Sequence, residues 1–523
     1  MPDAVDEPNL AVDDIQGNVL VGFMKDVQTM LCLRIVDVAA AKAWVRELEP
    51  KIATTAEVLA YARLRRALKR RRGQNPLGVT WVNVAFSAAG LAKLTSPEEV
   101  AAFPSATFRA GMPADAGTLG DPVGSGRPGD PATWLFGGPG AVPDVFLIVA
   151  SDHEEDLARE LEAQKAALAA RPGSPEVVFT LEGHARTDRP GHEHFGFKDG
   201  ISQPAVRGRT PDGDLSPRRL PADGSGRLYA EPGRPLVWPG QFVLGLPQQD
   251  HDHPLTPRPA ADPKPPWARN GSYLVVRRLR QDVGGFWAFA REQAAALAGT
   301  AGFEGMTPER FASLLVGRWP SGAPLMRSPA ADDEALGGDD CANNSFFFHG
   351  PCEIEPVEGC PPDARPPAPG DPDGALCPYA AHIRKVNPRD DGTDTGGLPD
   401  VFTRAILRRG IAYGEPFEDG EDPAAADRGL LFLCYQSSIK EQFGFLTRQW
   451  VNQSELPHGE HGLDPILGQA GTDPQRRRWI ELVGSNGVSR RVELPQEFVV
   501  ATGGGYFFAP SLSALRDPIG AGS

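Results

Sequence analysis

A chain of 523 residues is too long for one ordinary hydrophobic core, so two to four domains are expected, with two large domains and long loops preferred. Hydrophobic content of 41% and charged content of 23% are those of a folded soluble protein, and the 59 glycines and 52 prolines belong in its loops. A formal net charge of -15 excludes nucleic acid and anionic membrane as main partners, since both require clustered positive charge. The basic tract from Arg63 to Arg72 reads as a solvated helix face. No apolar run approaches the roughly 18 residues that cross a bilayer. The N-terminus is acidic with no apolar signal region after it, so a cytoplasmic location is expected. Cys32, Cys341, Cys352, Cys360, Cys377 and Cys434 form no CxxC pair and match no zinc spacing, so free thiols are expected.

In chain order, the apolar patterns predict strands over 30–36, 79–86, 144–150 and 176–181, with helices over 39–48, 88–94 and 154–170 between them. The second half repeats this rhythm more loosely. Strands are predicted over 271–279, 429–435 and 505–509, with helices over 283–297, 306–315 and 439–451. The pattern fits two related α+β domains, 1–215 and 216–523, each an antiparallel sheet with helices on one face. The uncovered sheet faces are then free to pack together. Irregular insertions over 207–265 and 329–376 are long enough to serve as flaps over a site.

Three segments carry chemistry. Gly196-Phe197-Lys198-Asp199-Gly200 holds a carboxylate in a tight turn between two glycines, although Lys-Asp-Gly is also an ordinary turn signal. In Tyr379 to Lys385, His382 is followed by two cations, Arg384 and Lys385. A neutral imidazole is a good axial ligand for haem iron, and such cations pair with haem propionates. The third segment, Leu407 to Gly414, offers Arg408, with Arg409 beside it as the alternative inward-pointing cation. Splitting the O–O bond of hydrogen peroxide requires a base that carries a proton between the two oxygens and a fixed cation for the developing negative charge. Asp199 and Arg408 suit those roles. An aspartate base, with an ordinary pKa of roughly 3.9, predicts activity that survives into acid.

These segments resemble the dye-decolorizing peroxidase family. Gly196 to Gly200 matches its GxxDG motif, His382-Ile383-Arg384-Lys385 with Asn387-Pro388-Arg389 is similar to its proximal-histidine segment, and Arg408 to Gly414 to its distal-arginine segment. Asp13 to Leu20 resembles the family's opening, so ordered matches span most of the chain. The long insertions resemble the larger, fungal-type subgroup. The resemblance implies an α+β fold of two ferredoxin-like domains in a dimeric α/β barrel-like haem peroxidase, as monomer or homodimer, with one haem b held mainly by the second domain. It implies His382 as the proximal iron ligand, Arg384, Lys385 and Gly200 as cofactor contacts, and Asp199 and Arg408 on the distal face. Leu430 and Phe432, on one face of their strand by alternation, would line the distal pocket or belong to the core. Asp464 is the candidate carboxylate behind the proximal imidazole, or a simple turn residue. Trp450 is the candidate surface relay for electrons from bulky aromatic substrates, or a core residue. A haem-delivery protein without turnover shares His382 but has no need of Asp199 and Arg408.

Overall fold

The computed structural model describes residues 7–72, 78–208, 228–231, 233–350, 365, 367–418, 420–421, 426–473 and 476–522. The expected domain boundary at residue 215 lies outside the described residues, as do Cys352 and Cys360.

In the first half, four strands form where β-rich apolar runs meet turn residues: β1 (Val27–Arg34), β2 (Trp81–Phe86), β3 (Val145–Ser151) and β4 (Glu176–His184). The longer helices between them are α1 (Val38–Leu48), α2 (Thr55–Arg72), α3 (Ala88–Leu94) and α4 (Glu154–Ala169). Helix starts are marked locally. Asp37 accepts from the Ala40 N–H and Ser87 from the Gly90 N–H, satisfying donors that the first helical turn leaves open. The basic tract forms the C-terminal half of α2.

In the second half, β5 (Ser272–Gln281) leads into α5 (Val283–Leu297) and α6 (Pro308–Val316), the latter opened by a Thr307 cap and Pro308. After α7 (His382–Val386) come β6 (Leu407–Arg408), β7 (Ile411–Tyr413), β8 (Gly429–Gln436) and β9 (Val499–Ala509).

The two halves do not keep separate sheets. Hydrogen bonds join the strands in the order β7-β8-β5-β9-β2-β3-β1-β4, with β6 on the edge of β8. The junction is β9 against β2, where Phe508 lies opposite Phe86. All the ladders of this sheet are antiparallel. Alternation then sorts the side chains. Leu31, Leu33, Leu147 and Val275 face a core covered by Trp44, Val45 and Leu48 of α1 and Leu91 of α3. Met30, Cys32, Phe146, Ile148, Leu274, Leu433 and Phe507 face a second core shared by both halves. The expected packing of the uncovered faces is therefore present within one continuous, curled sheet. Its ends approach each other: a Cβ on Gly183 of β4 would lie 2.4 Å from Ile411 Cγ2 of β7. Among the described residues no backbone ladder joins those two strands.

A third core gathers α5, α6 and the hairpin Arg478–Val483/Ser489–Leu494. It also buries Phe195 and Phe197 beside Asp199, and Ala380 and Ala381 before His382. Phe195 stacks on Phe286 at 4.4 Å between ring centroids, and Trp287 Nε1 donates to the Phe195 carbonyl at 3.0 Å. One apolar cluster thus anchors segments nearly two hundred residues apart.

Three expectations are corrected. The helix expected over 439–451 is a short helix, Phe443–Phe445, running into a π-helical turn, Leu446–Val451. It starts late because Gln442 leaves helical angles while its amide donates to the Gln241 and Ala405 carbonyls. The strand expected over 505–509 begins at Val499, since Gly503 to Gly505 hide its pattern. Close packing requires the glycines: a Cβ on Gly503 would meet Phe136 at 2.6 Å. Finally, Cys341 is disulfide-bonded, while Cys32, Cys377 and Cys434 are free and buried. A disulfide removes the support that free thiols lent to a reducing, cytoplasmic setting. No described helix is long and apolar enough to cross a membrane.

Candidate active site

A cavity of about 300 Å³ opens between the Asp199 turn, α7, β6 and β8. Its walls include Asp199, Gly200, His382, Arg408, Leu430 and Phe432. Six of the ten residues singled out as candidates from the sequence therefore meet in one space.

His382 is the first residue of α7 and is partly exposed to the cavity. Its Nδ1 lies 2.8 Å from Oδ2 of Asp464, a carboxylate with no exposed surface. The other Asp464 oxygen accepts the Ile466 and Leu467 N–H groups at 2.8 and 2.9 Å. Burial alone would raise the Asp464 carboxyl, but His382 and these N–H groups outweigh it and hold it below its ordinary value. A carboxylate so held accepts a hydrogen bond from the Nδ1–H, which leaves the Nε2 lone pair for a metal. Asp464 is the carboxylate behind the histidine, which its Asp-Pro setting in the sequence only suggested.

Asp199 sits in a turn whose glycines, Gly196 and Gly200, have φ of 95° and 78°. There a side chain would be strained, so the two glycines are what permit the turn. Arg408 Nη1 donates to Asp199 Oδ1 at 3.1 Å, and Arg408 Nη2 donates to the Ser202 carbonyl at 3.3 Å. Arg409 takes the other direction: its guanidinium donates to the Asn18, Val19 and Arg408 carbonyls, and it does not line the cavity. This decides between the adjacent arginines. Leu430 and Phe432 share the cavity face of β8, and Phe432 packs near Phe443 at 6.1 Å.

Two of the expected cofactor contacts lie elsewhere. Arg384 is fully buried against Asp371 and Asp391, at 3.1 and 2.8 Å, with its guanidinium 3.9 Å from the Tyr379 ring centroid. Lys385 Nζ donates to the Gln453 carbonyl at 2.6 Å and to that of Leu456, and burial pushes its ammonium down to about 8. Helical geometry is the reason. His382, Ile383 and Val386 share the cavity face of α7, and residues at 384 and 385 are rotated away from it. Trp450 is also displaced from its surface reading. It is 0% exposed, packs on Phe445 at 5.2 Å and donates to Asp394 at 3.1 Å.

Besides Arg408 and Lys198, three cations that were given no role from the sequence line the cavity: Arg318, Arg389 and Arg404. Arg404 is paired with Asp400 and Glu441. Arg318, just past the left-handed Gly317 that ends α6, is buried and donates to the Gly322 and Asn343 carbonyls and to Asn344 Oδ1 at 2.8, 2.7 and 3.0 Å. Arg389 donates to the same Asn344 oxygen. Among the described residues no carboxylate pairs with Arg318. Burial, then the Arg389 and Arg408 charges, push its guanidinium down to about 9. Such a site favours an entering anion. The propionates of a haem fit it, as His382 Nε2 fits its iron. The glycine before Arg318 was legible as a helix end, but no local signal says where that side chain points.

Residues 14–187 match the family model described as "DyP dimeric alpha+beta barrel domain", and 351–458 match "Dyp-type peroxidase, C-terminal". The chain is 34% identical to dye-decolorizing peroxidase msp1 of Mycetinis scorodonius, covering 97% of this chain and 87% of that one. It is 31% identical to dye-decolorizing peroxidase AauDyP1 of Auricularia auricula-judae over 97% of this chain and 86% of the relative. Among solved structures, an ancestral D-type dye decolorizing peroxidase superposes with a TM-score of 0.76 at 34% identity, covering 98% of this chain and 100% of that one. Identity and fold agree at this level along nearly the full length of both chains, and the chain belongs to the dye-decolorizing peroxidase family of haem peroxidases.

Proposed function

We propose that this peroxidase uses hydrogen peroxide to oxidise dyes and phenolic or other aromatic compounds, with haem b as its cofactor. The observation that carries the reading is that His382, backed by Asp464, and Asp199, paired with Arg408, open on one cavity. When bound, haem supplies the electron transfer that reduces peroxide and oxidises the aromatic donor. The protein does the rest. His382 Nε2 holds the iron, with Asp464 fixing the imidazole tautomer, and Arg318 and Arg389 hold the propionates. Asp199 carries a proton from one peroxide oxygen to the other, and Arg408 steadies the negative charge as the bond breaks. Leu430 and Phe432 keep that space apolar. The same reading takes the chain as domains 1–215 and 216–523, in a monomer or homodimer that light scattering distinguishes.

The test is an optical spectrum and a dye assay on the purified ferric protein. A Soret band, with an anthraquinone dye bleached only when peroxide is added, is expected. Bound haem without bleaching would leave a haem carrier instead. Arg408→Leu is expected to retain haem and to lower kcat/KM for peroxide by ~10²- to 10³-fold.

A further inference from the structure

Strand β6 is two residues long and, among the described residues, pairs with no strand but β8, where Arg408 lies opposite Cys434. On its other edge the Arg408 carbonyl accepts Arg409 Nη1 at 2.8 Å, and no strand pairs with the Arg408 N–H there among the described residues. Gln203 fills that place. The Arg408 N–H donates to Gln203 Oε1 at 3.2 Å, and Gln203 Nε2 donates to the Arg408 carbonyl at 3.2 Å. A carboxamide offers one donor and one acceptor, as a peptide does, so this side chain takes the place of a neighbouring strand. It is also tied at its own backbone, where the Gln203 carbonyl accepts Arg234 Nε–H at 2.9 Å.

Gln203 ends the segment that begins at Asp199. Three contacts therefore fasten that segment to one arginine: the Gln203 amide on its backbone, the Ser202 carbonyl on Nη2, and Asp199 Oδ1 on Nη1. The last of these is partly exposed and free to open. The amide clamp is the one that sets where the Arg408 backbone starts.

We propose that Gln203 is a positioning residue for the peroxide reaction, holding the Asp199 segment and Arg408 in register. Gln203 lies in the cavity wall, but both ends of its amide are engaged on the Arg408 backbone, so it acts through Arg408. The inference rests on the distal role given to Arg408 above. Small displacements of a catalytic group cost up to ~10²-fold in rate, so the loss of the clamp should be visible in kinetics.

The experiment is a double-mutant cycle on the haem-loaded protein, read by peroxide kinetics and by fluoride titration of the ferric haem. In the parent, Gln203→Leu is expected to lower kcat/KM for peroxide by ~10- to 100-fold. It should weaken fluoride binding about fivefold, the worth of one hydrogen bond from a well-placed guanidinium, with haem content and melting temperature unchanged. Placed on Arg408→Leu, the same substitution should add nothing. Equal losses in both backgrounds, or no loss in the parent while Arg408→Leu is slow, overturn the proposal. Gln203→Ala guards against a clash from leucine: lost haem or stability in both variants assigns Gln203 to folding and also overturns it. A fully active Arg408→Leu overturns the role of Arg408 itself, and this inference with it.

Discussion

At the scale of single residues, the hydrogen bond between His382 Nδ1 and the buried Asp464 ties the candidate iron ligand to its orientation. An asparagine in its place remains similar in shape but carries no charge to hold the Nδ1 proton. Asp464→Asn is expected to weaken haem retention by ~10- to 100-fold, measured as haem transfer to apomyoglobin. Retention equal to the parent's would show that the carboxylate does not support the ligand. His382→Ala is expected to lose most bound haem, and a normal Soret band in that variant would remove His382 from the iron. The cations around the site show how far a local motif carries. Arg384 and Lys385 follow His382 in sequence and promise a propionate pair, yet a helix turns them away from the face that His382 uses. The cavity cations come instead from Arg318 and Arg389, which only the fold brings together over Asn344.

At the scale of elements, Phe286 of α5 connects the hydrophobic core to the chemistry. It is fully buried, stacked on Phe195 at 4.4 Å and edge-on to Phe197 at 6.4 Å, and both phenylalanines flank the glycine that opens the Asp199 turn. Phe286→Ala should cost about 3–5 kcal/mol, the range for emptying a buried aromatic site, read as a lower urea midpoint. Peroxide turnover should fall with it, because the turn loses its support. A variant that is destabilised but turns over peroxide at the parent rate would show that the turn is held by its own hydrogen bonds. Element positions were largely readable from periodicity. The cap at Asp37 and the Thr307-Pro308 start are local chemistry, and the helices they open fall where the pattern predicts. The late start of the helix at Phe443 was not readable, since its cause is Gln442 reaching the carbonyls of Gln241 and Ala405.

At the scale of the whole molecule, His194 links the Asp199 segment to β7 by a hydrogen bond of 2.8 Å between Nε2 and the Tyr413 carbonyl. It is buried, and burial pushes its imidazole down to about 4. The unfolded chain, with an ordinary histidine value of roughly 6.5, binds this proton more readily. Between those values the unfolded state carries more protons, so stability rises with pH; the contribution is complete above about pH 6.5 and is lost as pH falls toward 4. The loss amounts to about 3 kcal/mol at roughly 1.4 kcal/mol per pH unit. An aspartate base suits acid turnover, while this histidine limits the fold in the same range. His194→Gln, which retains a donor for Tyr413 without titrating, is expected to flatten melting temperature against pH between 4 and 6.5. Parallel curves for variant and parent would assign the acid limb to other groups.

The sequence by itself determined the rhythm of strands and helices and the tight turn that presents Asp199, because periodicity, capping and glycine turns are properties of neighbouring residues. His382, Arg408, Leu430 and Phe432 were singled out through the ordered family motifs, not through any local pattern alone. Only the tertiary structure decided that β9 joins β2 to make one sheet, that Arg408 rather than Arg409 faces the cavity, and that Trp450 is interior. It also decided which arginines lie at the cavity. Those outcomes depend on partners far away in the chain, and the side a residue faces is set by what packs against it, which no local pattern encodes.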